Sequence, residues 1–292
     1  MSKTFLGSSI DEFNFPDGQP HIKVKNFDKF VTCRIASSDD LVKVCMLLSI
    51  YRKNNINLDL TILYMMAERM DRAISNNEPN SSGVVCGILE PFINAFNELS
   101  SRAKAEVTLL SPHSSVTPMN LGFEAKRPKD EMLMESVFYD MAIQKFLLFT
   151  GVSQQEVEYR QTKFSIVLPD KGALERIKDT PIMRWWPNSN LVVMEKVREI
   201  TTGKITGIKI SSGSPSPLSI ILDDLCDGGA TFVGASKELR ISGSVGDKMV
   251  GLAVVKGVFS KGTKLDGIDF IATTNAYQEL ESRDDFYVYR FV

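Results

Sequence analysis

The sequence predicts an α/β protein of two domains, each built on a central parallel sheet flanked by helices. Short apolar stretches alternate with helical stretches, an order typical of βαβ units. The pattern stops at a polar stretch, residues 126–130, and then begins again. A chain of 292 residues is also long enough for two cores. We place the two domains at residues 1–140 and 141–283.

The first domain is predicted to alternate strands and helices. Residues 31–35 alternate as a strand does, and the polar residues 37–40 directly precede a helical stretch with apolar residues on one face. A strongly apolar strand and a long helix follow. The predicted strands are 4–6, 22–24, 31–35, 58–66 and 105–110, and the predicted helices are 41–53 and 81–100.

The second domain repeats this order. Its predicted strands are 164–168, 191–194, 219–222 and 249–255, and its predicted helices are 136–149 and 231–239. The tail, residues 284–292, alternates aromatic with other residues, which indicates an edge strand. We expect this last strand to join the N-terminal domain.

The composition argues against nucleic acid and membranes as partners. With 34 basic and 36 acidic residues, the chain has a net charge of -2 and no overall positive field. The longest apolar run, around residues 191–194, is far too short to cross a membrane, and the N-terminus lacks an apolar signal segment. We therefore expect a cytoplasmic protein whose local basic clusters bind only small anions.

Cysteine usage is consistent with a reducing compartment. The four cysteines are far apart in apolar stretches, form no Cys-x-x-Cys pair, and are accompanied by only two histidines. We predict buried free thiols rather than disulfides or zinc ligands. These residues are Cys33, Cys45, Cys86 and Cys226.

The most informative segment is an apolar strand that runs into paired acids and a glycine turn, residues 220–232. Glycines let backbone N–H groups approach an anion, and the following helix adds its positive dipole end, so the loop suits a phosphate. Asp223 and Asp224 suit ribose hydroxyls or magnesium. A plain strand-to-helix turn is the alternative. The acids stand at the carboxyl end of a strand, where open α/β sheets bind ligands, and this favours a site.

This segment resembles the ribose-phosphate-binding motif of type I phosphoribosyltransferase folds, and in particular of ribose-phosphate diphosphokinases, or PRPP synthetases. The resemblance implies two phosphoribosyltransferase-like domains, with ATP and a ribose-phosphate compound as substrates and Mg²⁺ as cofactor. The acids would hold the ribose 2- and 3-hydroxyls, and the loop would receive the 5-phosphoryl group. The implied ribose-phosphate-binding residues are Asp223, Asp224, Asp227, Gly228, Gly229, Ala230 and Thr231.

Two further motifs of the family recur in the predicted N-terminal domain. Residues 68–72 with Glu78-Pro79 are similar to the Ala-Arg-Gln-Asp-Arg and Glu-Pro elements of the family. Residues 110–114 are similar to the Asp-Leu-His-Ala element, whose histidine lies beside magnesium and the ATP phosphates; a purely structural histidine is the alternative. The implied ATP-binding residues are Arg69, Asp71, Arg72 and His113, and His113 is also an implied metal neighbour.

The C-terminal domain carries the other motifs. Residues 167–172 resemble the Ser-Pro-Asp-x-Gly-Gly element, which implies that Asp170 helps to place the second substrate and the metal. Residues 194–198 resemble the Asp-Lys-Arg-Arg start of the catalytic loop. Lys196 and Arg198 stand two apart, so they face the same side of a strand. The resemblance makes both catalytic, whereas two solvated surface cations are the alternative.

A last motif, residues 257–262, is similar to the Gly-Val-Phe-Ser-Gly turn of the family. The phosphate loop itself departs from the family pattern Asp-Thr-x-Gly-Thr, because Gly228 replaces the first threonine and Ala230 replaces the glycine. The loss of a hydroxyl donor favours a phosphodiester over a terminal phosphate dianion. We therefore expect ADP-ribose as acceptor, as in phage-encoded relatives thought to rebuild NAD from it in the host cytoplasm. Ribose 5-phosphate is the alternative.

The element that contacts adenine in the family is altered. Residues 26–30 keep an aspartate of the Phe-x-Asp-Gly-Glu pattern but lack its glutamate, which leaves open how adenine is held. Two rival functions are a phosphoribosyltransferase and a non-catalytic regulatory homologue. Arg69, His113 and Lys196 favour an ATP-dependent enzyme over the first, and retention of both Lys196 and Arg198 disfavours the second. The resemblance also implies a homo-oligomer.

Overall fold

A boundary near residue 132 divides the chain into two units, unit 1 up to residue 132 and unit 2 over residues 133–291. The computed structural model describes residues 3–73, 75, 77–100, 102–122, 129–198, 205–242 and 247–291. Arg198, Ile205 and Thr206 are described by their backbone alone.

Unit 1 is built on a mainly parallel sheet. Its described elements are β1 (Phe5–Leu6), β2 (Ile10–Asn14), β3 (Pro20–Val24), β4 (Phe30–Ile35), α1 (Ser38–Asn54), β5 (Leu58–Met65), α2 (Ser81–Leu99), β6 (Ala105–Leu109) and α3 (Val116–Asn120). The sheet has the order β1-β4-β5-β6, in which β4, β5 and β6 run parallel and β1 is antiparallel to β4. β2 and β3 form a separate antiparallel hairpin.

Local sequence explains where the long helices of unit 1 begin. The Ser37 side chain accepts a hydrogen bond from the Asp40 backbone N–H and so caps α1, as the polar stretch predicts. α1 ends at Asn55, which adopts a left-handed conformation with φ 56°. Asn80 caps α2 by accepting from the Gly83 N–H. The apolar faces of both helices pack on one core with the buried side chains of β4, β5 and β6.

The boundary between the units falls within α4 (Lys129–Phe149), and unit 2 then forms a larger sheet. The remaining described elements are α5 (Gln154–Glu158), β7 (Ser165–Leu168), α6 (Lys171–Ile177), α7 (Ile182–Trp185), β8 (Asn190–Arg198), β9 (Ile205–Ser212), β10 (Leu218–Cys226), α8 (Ala230–Ile241), β11 (Met249–Gly257), β12 (Phe270–Thr274) and β13 (Phe286–Tyr289). The sheet order is β13-β12-β11-β10-β7-β8-β9. All neighbours pair in parallel except β8 and β9.

The structure confirms the predicted fold class, since both units contain parallel strands flanked by helices. The predicted association of the C-terminal strand with the N-terminal domain is wrong. β13 pairs in parallel with β12 of unit 2, with Phe286 opposite Ile271. Phe286 and Val288 are buried in the core of that unit, which gives the strand its place there. It is an edge strand, as predicted.

All four cysteines are buried free thiols, as their spacing predicts. Among the described helices, none combines the length and the apolar character that a membrane crossing requires.

Candidate functional site

Three neighbouring strands of unit 2 bring the predicted acids and the predicted lysine to one region of the sheet. β7 lies between β10 and β8. Asp170 follows the carboxyl end of β7, Lys196 lies in the second half of β8, and the pair Asp223–Asp224 lies in the second half of β10. Because these three strands run parallel, their carboxyl ends share one edge, which is where open α/β sheets bind ligands.

Asp170 is held by two hydrogen bonds. Its side chain caps α6 by accepting from the Ala173 backbone N–H at 3.0 Å. It also accepts from Lys196 Nζ at 2.9 Å, and both side chains are about one-third exposed. Burial raises the pKa of Asp170, but the bonds from Lys196 and Ala173 outweigh it and hold the pKa below its ordinary value. Asp170 is therefore a fixed carboxylate beside a fixed cation.

The paired acids of β10 are neutralised by an arginine that sequence reasoning missed. Arg176 in α6 forms an ion pair with Asp223, and its Nη2 lies 2.8 Å from Asp224 Oδ1. Asp224 is buried and Asp223 is nearly so. Tyr139 in α4 donates to the backbone carbonyl of Asp223 at 2.8 Å, and its hydroxyl oxygen lies 3.1 Å from Glu135 Oε1. The cluster is thus closed by side chains from two helices.

The charges of this cluster shift one another's pKa values. Burial and the neighbouring Asp224 carboxylate raise the pKa of Asp223 well above its ordinary range, and Arg176 opposes this rise. Burial lowers the pKa of Arg176, but the two carboxylates outweigh it and raise the pKa above its usual value. Arg176 therefore pairs with both carboxylates. Carboxylate oxygens are acceptors, which suit the hydrogen-bond donors of a ligand such as sugar hydroxyls.

The turn after β10 has the geometry of an anion loop. Gly229 adopts a left-handed conformation with φ 75°, and its carbonyl accepts from the N–H groups of Phe232 and Val233 in the first turn of α8. A Cβ at Gly229 would lie 2.4 Å from Leu265 Cδ2, so only glycine fits this position. The turn leads directly into α8, whose first N–H groups carry its positive dipole end.

The predicted turn at residues 257–262 supports the same loop. The Cys226 carbonyl, at the end of β10, accepts from the backbone N–H groups of Val258 and Phe259 at 2.8 and 3.1 Å. The stem of Lys261 covers Gly228: its Cδ and Cε each lie 3.4 Å from the position that a Cβ at Gly228 would take. The structure therefore brings a lysine to the loop position at which a threonine is missing.

Unit 1 brings two of the predicted ATP motifs into contact. β5 and β6 are neighbours, and each is followed by one motif. The Ser114 hydroxyl, after β6, donates to Asp71, after β5. Arg72 lies near Asp71, with 3.8 Å between Arg72 Nε and the carboxylate. Ser111, at φ 43°, donates its backbone N–H to the buried Glu131 at 2.6 Å, which fixes the second motif.

The predicted site residues are divided between the units. Arg69 and Arg72 are exposed and His113 is half-buried; with Asp71 they belong to unit 1. The others belong to unit 2, where Asp227 is exposed at the turn. The side chain of Arg198 lies outside the described part of the chain, so its position stays a prediction. Ala230 and Thr231 begin α8.

Carboxylate oxygens suit magnesium, and Asp170 supplies one such group at a strand end. No cluster of three or more His, Cys, Asp or Glu side chains that could ligate a metal occurs within the described residues. A single carboxylate fits a magnesium ion that keeps most of its ligands as water and substrate phosphates.

Two ribose-phosphate pyrophosphokinases share sequence with this chain. The chain is 25% identical over 280 residues to the ribose-phosphate pyrophosphokinase of Pyrococcus furiosus. This alignment covers 92% of this chain and 86% of that protein. The chain is 27% identical over 136 residues to the enzyme of the same name from Mycoplasmopsis pulmonis, covering 44% of this chain and 40% of that protein. No family model matches the chain.

A solved structure extends the likeness to the fold. The phosphoribosylpyrophosphate synthetase of Mycobacterium smegmatis superposes with a TM-score of 0.58 over 96% of this chain and 85% of that chain, at 14% identity. The fold is therefore of the phosphoribosyltransferase type. Within that fold, the chain is similar over most of its length to ribose-phosphate pyrophosphokinases, the PRPP synthetases. This confirms the family resemblance, whereas membership of the phage-encoded branch stays a prediction.

Proposed function

We propose that this chain is a diphosphokinase that transfers the β,γ-diphosphate of ATP to the C1 hydroxyl of a ribose 5-phosphoryl acceptor and releases AMP. The observation that carries the proposal is the Asp170–Lys196 ion pair, which joins the end of β7 to β8, next to β10 with its Asp223–Asp224 pair. One carboxylate, one cation and a paired acceptor of hydroxyl groups are the parts that phosphoryl transfer to a sugar requires.

The acids of β10 orient the acceptor. Asp223 and Asp224 accept hydrogen bonds from the vicinal ribose hydroxyls, and the loop of Gly228 and Gly229 receives the 5-phosphoryl group. Thr231 adds a hydroxyl donor in the first turn of α8. Held at both ends, the sugar presents its C1 hydroxyl oxygen to the β-phosphorus of ATP, and AMP leaves as the new phosphorus–oxygen bond forms.

Lys196 acts on the diphosphate that moves. Its ammonium group is paired with Asp170 in the structure and lies on a strand that continues toward Arg198. Contact with the transferring phosphoryl oxygens neutralises charge that grows in the transition state. Bound magnesium supplies further neutralisation of the triphosphate charge, and Asp170 is the carboxylate of unit 2 that would hold it.

On the ATP side, the exposed Arg69 and Arg72 suit the phosphates of ATP, since arginine forks bind phosphate oxygens in pairs. Asp71 and Ser114 hold the two motifs of unit 1 together. His113 is proposed to lie beside the metal and the triphosphate. We also propose, on the family resemblance, that the active protein is a homo-oligomer and that it works in the cytoplasm.

For the acceptor we propose ADP-ribose, which would give ADP-ribose 1-pyrophosphate for NAD synthesis. Gly228 lacks the hydroxyl that the family pattern places there, and the Lys261 stem covers the gap. A phosphodiester carries one charge on each phosphorus and needs fewer donors at the loop itself than a terminal dianion does. A lysine beside the loop adds a cation for the second phosphoryl group of the acceptor. Ribose 5-phosphate is the second candidate, supported by the retained Thr231 and by the names of the relatives.

A kinetic comparison of two acceptors tests this assignment. AMP release is followed with ATP, magnesium and either ADP-ribose or ribose 5-phosphate, for wild type, Lys261→Met and Gly228→Thr. We expect a higher kcat/KM for ADP-ribose, a loss of roughly 10-fold for this acceptor in Lys261→Met, and a shift toward ribose 5-phosphate in Gly228→Thr. A wild type that uses ribose 5-phosphate alone would assign the ordinary PRPP synthetase reaction instead.

A further inference from the structure

Arg176 occupies an unusual position for a residue outside the recognised motifs. It lies in the last turn of α6, its side chain is only 13% exposed, and it forms ion pairs with both Asp223 and Asp224. Side chains of adjacent strand residues normally point to opposite faces of the sheet. Here the side chains of Asp223 and Asp224 both contact the Arg176 guanidinium. This shared contact fixes the two carboxylates relative to each other.

The same guanidinium also approaches the Asp170 side of the site. The position that a Cβ at Gly172 would take is 3.1 Å from Asp170 Oδ1 and 3.6 Å from Arg176 Nη1. Both side chains thus reach over Gly172 from one short helix. The order of charges is Lys196, Asp170, Arg176 and then the paired acids, so cations and anions alternate across the three strands.

We propose that Arg176 is a positioning residue for the acceptor sugar. Its guanidinium holds Asp223 and Asp224 in the spacing that two vicinal ribose hydroxyls require. This inference rests on the proposed function and adds a residue to it. Arg176 does not touch the reacting atoms. It fixes the Oδ1 atoms of both acids, so the sugar meets acceptors that are already oriented.

Charge balance gives Arg176 a second effect. Groups that act on Asp223 include Asp224 from β10, Arg176 from α6 and Asp170, which caps α6. Tyr139 from α4 contacts the Asp223 backbone and Glu135. Arg176 opposes the raised pKa of Asp223. Without it, protonation of the acid pair extends to higher pH. A protonated acid is a poorer acceptor for a hydroxyl, so acceptor binding then weakens at a higher pH.

Calorimetric titration of ADP-ribose and of ribose 5-phosphate into wild type, Arg176→Met and Arg176→Lys tests the proposal between pH 5 and 8. We expect Arg176→Met to weaken binding of the preferred acceptor by roughly 10- to 100-fold. We also expect its loss of binding at low pH to begin at a higher pH than in wild type. Arg176→Lys retains the charge and recovers part of the affinity. In steady-state assays the KM for the acceptor rises while the KM for ATP changes less than about twofold.

The matched control is Arg160→Met. Arg160 forms an ion pair with Asp140 and lies over the Trp186 ring, before the amino end of β7, away from the strand ends that carry the acids. The Arg160→Met substitution removes a comparable, partly buried ion pair and should leave acceptor affinity unchanged. Unchanged acceptor binding and pH dependence in folded Arg176→Met would overturn the proposal, and so would an equal loss in the control. If Arg176→Met does not fold, Arg176→Lys is used for the test. Acceptor affinity and pH dependence equal to those of wild type in Arg176→Lys would then overturn the proposal.

The outcomes also separate this inference from the proposed reaction. Acceptor binding that depends on Arg176, without AMP release by wild type, would contradict the proposed reaction and support the positioning role. AMP release with no dependence of acceptor KM on Arg176 would support the reaction and contradict the positioning role. Wild type that neither binds an acceptor nor releases AMP would contradict both.

Discussion

Lys196 Nζ donates to Asp170 Oδ2 at 2.9 Å, and this bond joins two motifs that are 26 residues apart in the chain. β7 and β8 pair in parallel up to Leu168 and Val193, so both motifs emerge at the same edge of the sheet. Asp170 is fixed on the other side by its cap on α6. The ion pair therefore holds the Lys196 ammonium group in a defined place at this edge of the sheet, from which, in the function we propose, it turns to a substrate phosphate.

Replacement of this lysine should affect turnover more than substrate binding. We expect Lys196→Met to lower kcat by about 100-fold or more, because the lost cation acts mainly on charge that develops in the transition state. The KM values for ATP and acceptor should change much less. Steady-state kinetics of AMP release measure both effects.

Lys209→Met is a suitable control for that variant. Lys209 lies on the neighbouring strand β9, where it pairs with Glu195 at the exposed surface. Its removal should change kcat less than about twofold. Equal losses in the two variants would show that general surface charge, rather than the position of Lys196, is responsible.

The Asp170 carboxylate should make stability depend on pH. Its pKa is lower in the folded chain than in the unfolded chain. The unfolded state therefore binds a proton first as the pH falls, and the stability that Asp170 contributes is present above about pH 3.9 and is lost as the pH falls through the folded pKa. We expect urea unfolding of wild type to lose more free energy between about pH 5 and 3 than unfolding of Asp170→Asn does. Identical pH dependence of the two proteins would contradict the lowered pKa.

The two loop glycines should differ sharply in their tolerance of a side chain. Gly229→Ala places a Cβ at φ 75° and 2.4 Å from Leu265, so we expect a loss of about 2 kcal/mol or more in the free energy of unfolding. Gly228→Ala meets only the flexible stem of Lys261 at 3.4 Å and should cost less than about 1 kcal/mol. Urea denaturation of both variants gives the comparison. Equal losses would contradict the described loop geometry.

Much of the fold could be predicted because apolar periodicity is a local property. The predicted strand at 58–66 is β5, and the predicted helix at 231–239 is α8 with slightly longer ends. β9 and β12 were not predicted. β9 contains few large apolar residues, and β12 is a short buried strand that follows a long turn region. The partner of the last strand could not be predicted, because alternation indicates a strand but not the sheet that it joins.

In the candidate site, too, residues marked by a local motif could be predicted, whereas contacts between distant segments could not. Asp170, Lys196 and the acids of β10 were found because motifs mark them at strand ends. Arg176 was missed because its partner Asp223 is 47 residues away along the chain and the seven-residue helix that carries it has too few turns for a periodic pattern. The contact between the Gly228 loop and Lys261 is likewise tertiary. No short sequence pattern encodes either contact.

The nucleotide that leaves ATP is the most direct test of the central claim. Purified protein is incubated with ATP, magnesium and ADP-ribose or ribose 5-phosphate, and the products are identified by mass spectrometry. The account predicts AMP in equal amount with an acceptor that has gained a diphosphate, and no product without ATP. Release of ADP with a singly phosphorylated acceptor, or pyrophosphate release from an activated ribose diphosphate without ATP, would contradict it.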